Sequence, residues 1–399
     1  MRIVLVSLNG EATGVASGLR ARSLAKYLGR CGHSIELICC ASTSIASKEP
    51  FGQRICVPMV RHGTDAGLAI INRLVNRLVY WPDPERRWVA PVMQRLKELC
   101  SDQKPDLMLV SSPPHSIQLI GILGAGQFGV PYVADLRDDW VTNHRHRWHT
   151  PFHRLVAAHY ERRMVESAAC VVLNTQLIEE RFGQRYPRHK DKFATVTNGY
   201  DDDDFSEAYA LDLINDDRKV IAYTGGMYGS FFSSRLSDLA AGLKRIGLHK
   251  QWRLVTAGPA FQPPFCHGDV WTHLGLLCPQ GAASLMTRAD LLVAGMPPGE
   301  REPSGTVPLK LYSYLRAGKP IVYYGETGSA NDVLMKYSGT FVKHRNEWSR
   351  FPFWLQAQHL EETYDRTGVE RYSFGNLTKE LMMNIQRRLD VRRSCGSPR

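Results

Sequence analysis

Short hydrophobic runs alternate with longer amphipathic stretches along most of the chain. The opening predicts a strand at Arg2–Ser7, a helix at about Leu19–Cys31 and a second strand at Ser34–Cys40. Such short apolar runs are typical of the buried strands of a parallel sheet, and the amphipathic stretches between them are typical of helices that cover it. The pattern therefore predicts an α/β fold built from repeated strand–helix–strand units.

The alternation stops near the acidic pairs and runs at Asp201–Asp204 and Asp216-Asp217, and it restarts at Val220. A chain of 399 residues is also too long for one ordinary hydrophobic core. We expect two Rossmann-like domains facing a cleft, over residues 1–205 and 206–372. Residues 373–399 are expected to form a helix that packs back on the first domain, followed by a basic tail.

The segment Val307–Glu326 has the pattern of a loop, a helix and a buried strand. Pro308 suits the first turn of a helix, where a backbone N–H has no partner to lose, and Gly318 suits the helix end. In an open α/β sheet, such a helix points its N-terminus to the edge where the strands end, and that N-terminus favours an anion. Lys310 adds a positive charge there, so the simplest ligand is a diphosphate.

The first predicted loop contains three glycines, Gly10, Gly14 and Gly18, which allow a ligand to approach the backbone closely. Their spacing is not G-x-G-x-x-G, and the second strand ends at Cys40 without an acidic residue to bind a ribose. We therefore expect no nicotinamide dinucleotide at this loop.

The formal net charge is +11, with 43% hydrophobic and 22% charged residues, the composition of an ordinary globular protein. The basic residues suit an anionic membrane surface or a phosphate-bearing substrate. A solvated basic face is the alternative, and no nucleic-acid-binding motif is present. Leu68–Val79 has helical amphipathic spacing, which fits either a core-facing helix or one lying on a membrane.

The nine cysteines are scattered and form no C-x-x-C motif, which favours reduced thiols and a cytoplasmic protein. The first apolar run is too short for the core of a signal peptide, and no run reaches the ~18 residues of a membrane span. His149 and His153 lie four residues apart, but Pro151 lies between them and no cysteine is near. We expect no metal there.

Six segments occur in this order along the chain: Gly14–Gly18 with Gly32-His33, Lys104–Asp106 with Ser111–His115, Asp135–Trp140, Val196–Asp201 with Phe205, Tyr223–Gly226, and Val307–Val322. Asn198-Gly199 in the fourth segment also suits a structural turn. Together, in this order, the six segments resemble glycosyltransferase family 4 of the GT-B fold. The third resembles a bacterial branch that builds surface polysaccharides. Together the segments span most of the chain.

The resemblance implies transfer of a sugar from a nucleoside-diphosphate sugar, with retention at the anomeric carbon and without a metal or other cofactor. The acceptor would be a glycan, a lipid-linked molecule or a natural product. The residues implied in donor binding lie mainly in the second domain: Gly14, Gly225, Gly226, Arg235, Gly258, Lys310 and Ser313. The family also has a basic pair after the first strand of the donor domain, and Met227–Arg235 contains only one base.

The resemblance gives catalytic roles to three residues of the first domain. His115 would contact the donor sugar or support the transition state, and a loop histidine bonded to backbone is the alternative. Arg137 would orient phosphate and Asp138 would act as general base for the acceptor. A simple ion pair between those two, fixing the loop, is equally compatible with the sequence.

One family feature is missing. The acidic pair that the family spaces as E-x7-E falls here at Gly305 and Ser313, although Glu300 or Glu302 could reach in from the loop. Two other hypotheses therefore stay open: a catalytically silent glycosyltransferase-like partner subunit, and a nucleotide-sugar epimerase of the same architecture.

Overall fold

The computed structural model describes residues 1–10, 16–41, 45–49, 51–59, 81–143, 148, 150–206, 217–226, 230–259, 268–296, 303–325 and 327–394. The chain forms two compact units: unit 1 is Met1–Asn198 with Phe374–Arg399, and unit 2 is Gly199–Ser373. Gly14, the Leu68–Val79 stretch, and Glu300 and Glu302 lie outside the described residues.

Unit 1 contains an eight-stranded sheet with the order β3-β4-β2-β1-β5-β6-β7-β8. Its strands are β1 Arg2–Val6, β2 Ser34–Cys39, β3 Ile45–Glu49, β4 Gly52–Cys56, β5 Leu107–Ser112, β6 Tyr132–Leu136, β7 Cys170–Leu173 and β8 Phe193–Thr195. Every neighbouring pair is parallel except β3 with β4. Hydrophobic residues alternate between the two faces, so each face has a buried core of its own.

Within the described residues of unit 1, five helices of eight or more residues connect these strands on the two faces of the sheet. They are α1 Ala16–Arg30, α2 Val89–Asp102, α3 Gln118–Phe128, α4 Pro151–Ser167 and α5 Gln176–Arg185. Thr150 caps the start of α4 through its side chain, and Pro151 occupies the first helical position, as expected for a helix N-terminus.

Unit 2 contains a six-stranded parallel sheet with the order β11-β10-β9-β12-β13-β14. Its strands are β9 Lys219–Thr224, β10 Trp252–Ala257, β11 Trp271–His273, β12 Leu291–Gly295, β13 Ile321–Gly325 and β14 Thr340–His344. Its helices are α6 Asp203–Ser206, α7 Ser230–Arg245, α8 Pro279–Arg288, α9 Leu309–Ala317, α10 Ser329–Leu334 and α11 Phe351–Gln356. The sheet of unit 2 is parallel, and that of unit 1 is parallel except for β3, which confirms the predicted fold class of two Rossmann-like domains.

The last helix, α12 Phe374–Ser394, belongs to unit 1 although it follows unit 2 in the chain. Its apolar residues Phe374, Leu377, Leu381 and Ile385 join the core on the same face of the sheet as α1. No described helix has both the length and the apolar character that a bilayer crossing requires.

The division between the units differs from the predicted boundary at residue 205. The Tyr200 N–H donates to the Tyr372 carbonyl at 3.0 Å, and Tyr200 forms a parallel bridge with Ser373. Because these contacts join residues 200–205 to the end of unit 2, unit 2 begins at Gly199. The acidic residues Asp201–Asp204 follow this bridge and lead into α6.

Candidate active site

In unit 2, two glycines bring the ends of neighbouring strands close together. Gly225 follows β9 with φ +109°, a backbone conformation that favours glycine, and its N–H donates to Ala257 at 2.7 Å. A Cβ placed on Gly258 would lie 2.4 Å from the Gly225 carbonyl oxygen. Both positions therefore require glycine for the turn at the carboxyl ends of β9 and β10.

Helix α9 presents its N-terminus at the same end of the sheet, because it leads from the end of β12 back to the start of β13. Pro308 precedes the helix, and Gly318 ends it with φ +73°, which confirms the start and stop predicted from the sequence. Lys310, the second helical residue, lies against the Gly225 turn: a Cβ on Gly225 would be 3.0 Å from the Lys310 Nζ.

The Lys310 ammonium faces an aromatic ring. Its Nζ lies 3.7 Å from the centroid of the Tyr223 ring, a cation–π contact. Burial lowers the pKa of Lys310 to about 7, since water no longer solvates the charge well. Among the residues that the structure describes, no carboxylate pairs with Lys310. An anion bound here would raise the pKa of this lysine again, so the side chain would carry its full positive charge.

Tyrosines from two elements hold this corner of unit 2 together. The Tyr223 hydroxyl donates to the Gly226 carbonyl at 2.6 Å. The Tyr314 hydroxyl, from α9, accepts from the Thr224 N–H at 2.9 Å, and burial raises the pKa of Tyr314 to about 12. The end of β9 is thus fixed to α9 through side chains on both sides of the glycine turn.

The two positions of the missing acidic pair, Gly305 and Ser313, lie near this corner in sequence but have different environments. Gly305 is buried, in a segment whose neighbour Ser304 pairs with Gly328 after β13. Ser313 lies in α9 and is half-buried. A serine hydroxyl offers one neutral oxygen, whereas a carboxylate would offer two charged acceptor oxygens.

Arg235 lies within α7, the helix that follows the turn after β9. Its guanidinium pairs with Asp238 at 3.4 Å, with more than a third of each side chain exposed. The structure brings together Gly225, Gly226, Gly258 and Lys310, with Ser313 on the same helix as Lys310.

In unit 1, His115 is buried directly after β5. Its ring stacks on Trp140 with the centroids 5.2 Å apart, and its Nδ1 lies 3.2 Å from the Ser112 hydroxyl. Ser112 also accepts from the Gln118 side-chain amide at 2.9 Å. Trp140 follows β6, so the stacking joins the loops after two neighbouring strands.

Arg137 and Asp138 form an ion pair at 3.4 Å and are only partly exposed. The loop that contains them is fixed by the charges around Arg185 of α5. The Arg185 guanidinium lies 3.1 Å from Asp139 and 3.2 Å from Glu161, and Glu161 accepts from the Val141 N–H at 3.0 Å. Burial raises the pKa of Glu161, and the Arg185 charge opposes this rise.

A buried ion pair lies under the carboxyl ends of the unit 1 strands. Arg20 and Asp135 are each 1% exposed, and Arg20 bonds both carboxylate oxygens, at 2.7 and 3.0 Å. Arg20 also donates to the carbonyls of Val196 and Thr197. This arginine therefore holds the segment that follows β8 against the sheet.

Asp83 holds the turn that contains His115. Its carboxylate accepts from the Ser116 N–H at 3.1 Å and from the Ser116 hydroxyl. Burial, opposed by those hydrogen bonds and assisted by the nearby Glu85 charge, raises the pKa of Asp83 to about 7. The acid therefore titrates near neutral pH directly beside the turn.

The remaining predicted positions give less information. Gly14 and His149 lie outside the described residues. His153 is buried, and its Nδ1 lies 2.8 Å from the Thr150 hydroxyl. Within the described part of the chain, no group of three or more histidine, cysteine or acidic residues could hold a metal ion.

Sequence reasoning missed the roles of Tyr223, Asp83 and the Arg20–Asp135 pair. Tyr223 had one local signal: it directly precedes the Thr-Gly-Gly turn in the sequence and therefore lies close to that turn. The other contacts join residues far apart in the chain, and no local pattern indicates them.

Residues 16–199 match the model of a glycosyl transferase 4-like domain. A search of curated proteins found no match. Among solved structures, sucrose-phosphate synthase from Thermosynechococcus elongatus has a TM-score of 0.70 at 14% identity, covering 98% of this chain and 99% of that one.

Two trehalose-phosphate synthases are also similar in fold. The enzyme from Burkholderia multivorans has a TM-score of 0.67 at 13% identity. The match covers 98% of the present chain and 99% of the Burkholderia chain. The one from E. coli, bound with UDP-2-fluoro glucose, has a TM-score of 0.65 at 9% identity, covering 97% and 99%. The comparisons therefore show a glycosyl transferase 4-like domain over residues 16–199 and, over nearly the whole chain, the fold of these synthases.

Proposed function

We propose that this protein transfers a hexose from a nucleoside-diphosphate sugar to a glycan, lipid-linked or natural-product acceptor, with retention at the anomeric carbon. One observation carries the proposal. In unit 2, the Lys310 ammonium lies at the start of α9 and against the Gly225 turn, without a carboxylate partner among the described residues. A cation at a helix N-terminus is suited to a diphosphate.

The chemical demand on the donor site is to stabilise the departing diphosphate. The free N–H groups at the start of α9 and the charge of Lys310 are positioned before the reaction, so little reorganisation is needed as negative charge develops. Gly226 keeps its backbone open, since nothing lies within 4 Å of a Cβ placed there. We propose no metal and no other cofactor in this step.

We assign the acceptor chemistry to unit 1. His115 supports the reacting sugar, and the stacked Trp140 keeps its ring in place. Asp138 acts as the general base for the acceptor hydroxyl, and Arg137 orients a phosphate and forms an ion pair with Asp138. Phosphate-bearing acceptors deserve inclusion in any screen because Arg137 is a suitable partner for them.

Isothermal calorimetry with UDP, GDP, ADP and their glucose conjugates tests the donor assignment. We expect one base to bind the wild-type protein, and Lys310→Ala to weaken that binding at least tenfold. Lys336→Ala is the matched control, because Lys336 is an exposed lysine of unit 2 that we place outside the site. Binding that is unaffected by Lys310→Ala would contradict the assignment.

A catalytically silent partner subunit is the second candidate, and it is favoured by Gly305 and Ser313 at the positions of the acidic pair. The two candidates differ in one measurement. An active transferase hydrolyses its donor slowly in the absence of acceptor and releases the nucleoside diphosphate, whereas a silent subunit releases none. Ser313→Glu should increase donor affinity if the missing carboxylate limits ribose binding.

We further propose a cytoplasmic protein that acts at an anionic membrane surface in polysaccharide synthesis. On α4, Phe152 and Leu155 are 49% and 67% exposed, and Arg162 and Arg163 follow on the same face. An exposed apolar pair next to arginines suits the interface of an anionic bilayer. Flotation with phosphatidylglycerol vesicles should carry the protein upward, and Phe152→Ser with Leu155→Ser should abolish this. Binding that persists in the double variant would exclude this face.

A further inference from the structure

Tyr223 lies near the end of β9, the strand between β10 and β12 in the unit 2 sheet, and its side chain is completely buried. Its ring packs against Phe232 of α7, with the centroids 5.5 Å apart. A tyrosine held this firmly offers a fixed surface to any group that contacts it.

Two parts of the candidate donor site contact this one side chain. The ring faces the Lys310 ammonium, with 3.7 Å between the Nζ and the ring centroid. The hydroxyl donates to the Gly226 carbonyl at 2.6 Å. The cation at the start of α9 and the turn after β9 are therefore both located by Tyr223.

We propose that Tyr223 is a positioning residue, which holds Lys310 and the Gly225–Gly226 turn in the arrangement that receives the donor diphosphate. This inference rests on the proposed function of the site. Tyr223 acts through Lys310 and need not touch the ligand itself.

The physical reason lies in the flexibility of lysine. A lysine side chain has four rotatable bonds, and fixing it on a ligand costs conformational entropy. The face of an aromatic ring attracts a cation without neutralising it, because the ring has a quadrupole and no net charge. A carboxylate in the same place would fix the lysine but would also compete with the diphosphate. The ring thus restricts the side chain and leaves its charge available.

A double-mutant cycle on the full-length protein separates positioning from ordinary core packing. The variants are Tyr223→Leu, Lys310→Ala and the two combined, and the probe is the nucleoside diphosphate that the wild type binds, measured by calorimetry. We expect Tyr223→Leu to weaken binding about tenfold, the size of a well-formed cation–π contact and a lost turn contact. In the Lys310→Ala background, the same change should have an effect of less than about threefold.

Tyr223→Phe is the conservative control, because it keeps the ring and removes only the bond to Gly226. It should retain most of the affinity that Tyr223→Leu loses. Equal losses from Tyr223→Leu with and without Lys310, or wild-type binding by Tyr223→Leu, would overturn the proposal. If Tyr223→Leu does not fold, Tyr223→Met serves in its place, since a flexible side chain of similar length fills irregular space.

A second readout needs no ligand. Lysines are reductively methylated with ¹³C, and the Lys310 resonance is assigned by its loss in Lys310→Arg. Because the ammonium lies over the ring, that resonance should be shifted upfield in the wild type and in Tyr223→Phe, and unshifted in Tyr223→Leu. An unshifted wild-type resonance overturns the positioning role. Failure of the wild type to bind any nucleoside diphosphate overturns the proposed function, even where this shift is present.

Discussion

The two units use their buried cations differently. In unit 1, Arg20 and Arg185 are each paired with carboxylates inside the protein, at 2.7 to 3.2 Å. In unit 2, Lys310 contacts the uncharged ring of Tyr223. A cation paired internally fixes structure, whereas a cation held by a ring keeps its charge for a ligand. On the proposed function, the anion-binding site therefore belongs to unit 2, and Arg20 and Arg185 of unit 1 support loops.

The strongest test of this contrast concerns stability. Arg20→Leu should cost about 3 to 5 kcal/mol of unfolding free energy, since it leaves the Asp135 carboxylate buried without its partner. Urea unfolding measures the effect. The matched control is Arg95→Ala, which removes an exposed ion pair with Glu98 and should cost about 1 kcal/mol or less. Equal costs for the two variants would show that the buried pair is not structural.

The next prediction concerns catalysis in unit 1. His115→Ala should reduce kcat about a hundredfold, the size expected for the loss of one group that stabilises the transition state, with little change in donor affinity. Donor turnover and calorimetry on the same preparation separate the two quantities. His159→Ala, which changes an exposed histidine of α4, should leave both unchanged. A loss of donor affinity equal to the loss of kcat would place His115 in binding instead.

The third prediction uses the pKa of about 7 at Lys310. A bound diphosphate raises that pKa, so binding takes up a proton when the lysine is neutral beforehand. Affinity should therefore be greatest below pH 7 and fall by up to about tenfold per unit as the pH rises above it. Lys310→Arg should remove this slope because arginine stays charged. A wild-type affinity that is flat from pH 6 to 9, once the titration of the ligand is subtracted, would contradict this linkage.

The smallest expected effect concerns Asp83. Its pKa in the folded protein is raised to about 7, so the contribution of this acid to stability is complete below about pH 4 and is lost as the pH rises through 7. The melting temperature of the wild type should fall modestly between pH 5 and 8. Asp83→Asn should weaken this dependence, whereas Asp102→Asn, at an exposed acid, should not. An unchanged slope in Asp83→Asn would refute the assignment.

The sequence predicted those parts of the fold that depend on local patterns. The strands Arg2–Val6 and Ser34–Cys39 lie within one residue of the predicted bounds, because continuous apolar runs are typical of central parallel strands. The edge strand β3 and its neighbour β4 were missed. β4 has the sequence GQRIC and β3 the sequence IASKE, and such mixed residues lack the apolar run or the strict alternation by which strands are recognised.

The candidate site shows the same limit. Lys310 and Gly225 were predicted because a helix start and a glycine turn can be recognised within a few residues. The pairing of Arg20 with Asp135 joins positions 115 residues apart, and it depends on strand order and register that one sequence does not reveal. The ring–ammonium contact of Tyr223 and Lys310 has the same origin, since β9 and α9 meet only in the folded unit.

The return of α12 to unit 1 has a consequence for synthesis on the ribosome. The apolar residues Phe374, Leu377 and Leu381 complete one face of the first sheet, but they are translated after all of unit 2. During that interval the nascent first unit exposes an uncovered hydrophobic surface, which is a substrate for chaperones and a site for aggregation. Unit 2 is under no such constraint and can fold as it emerges. Because α12 is synthesised last, unit 1 finishes folding after unit 2, although most of its residues are synthesised first.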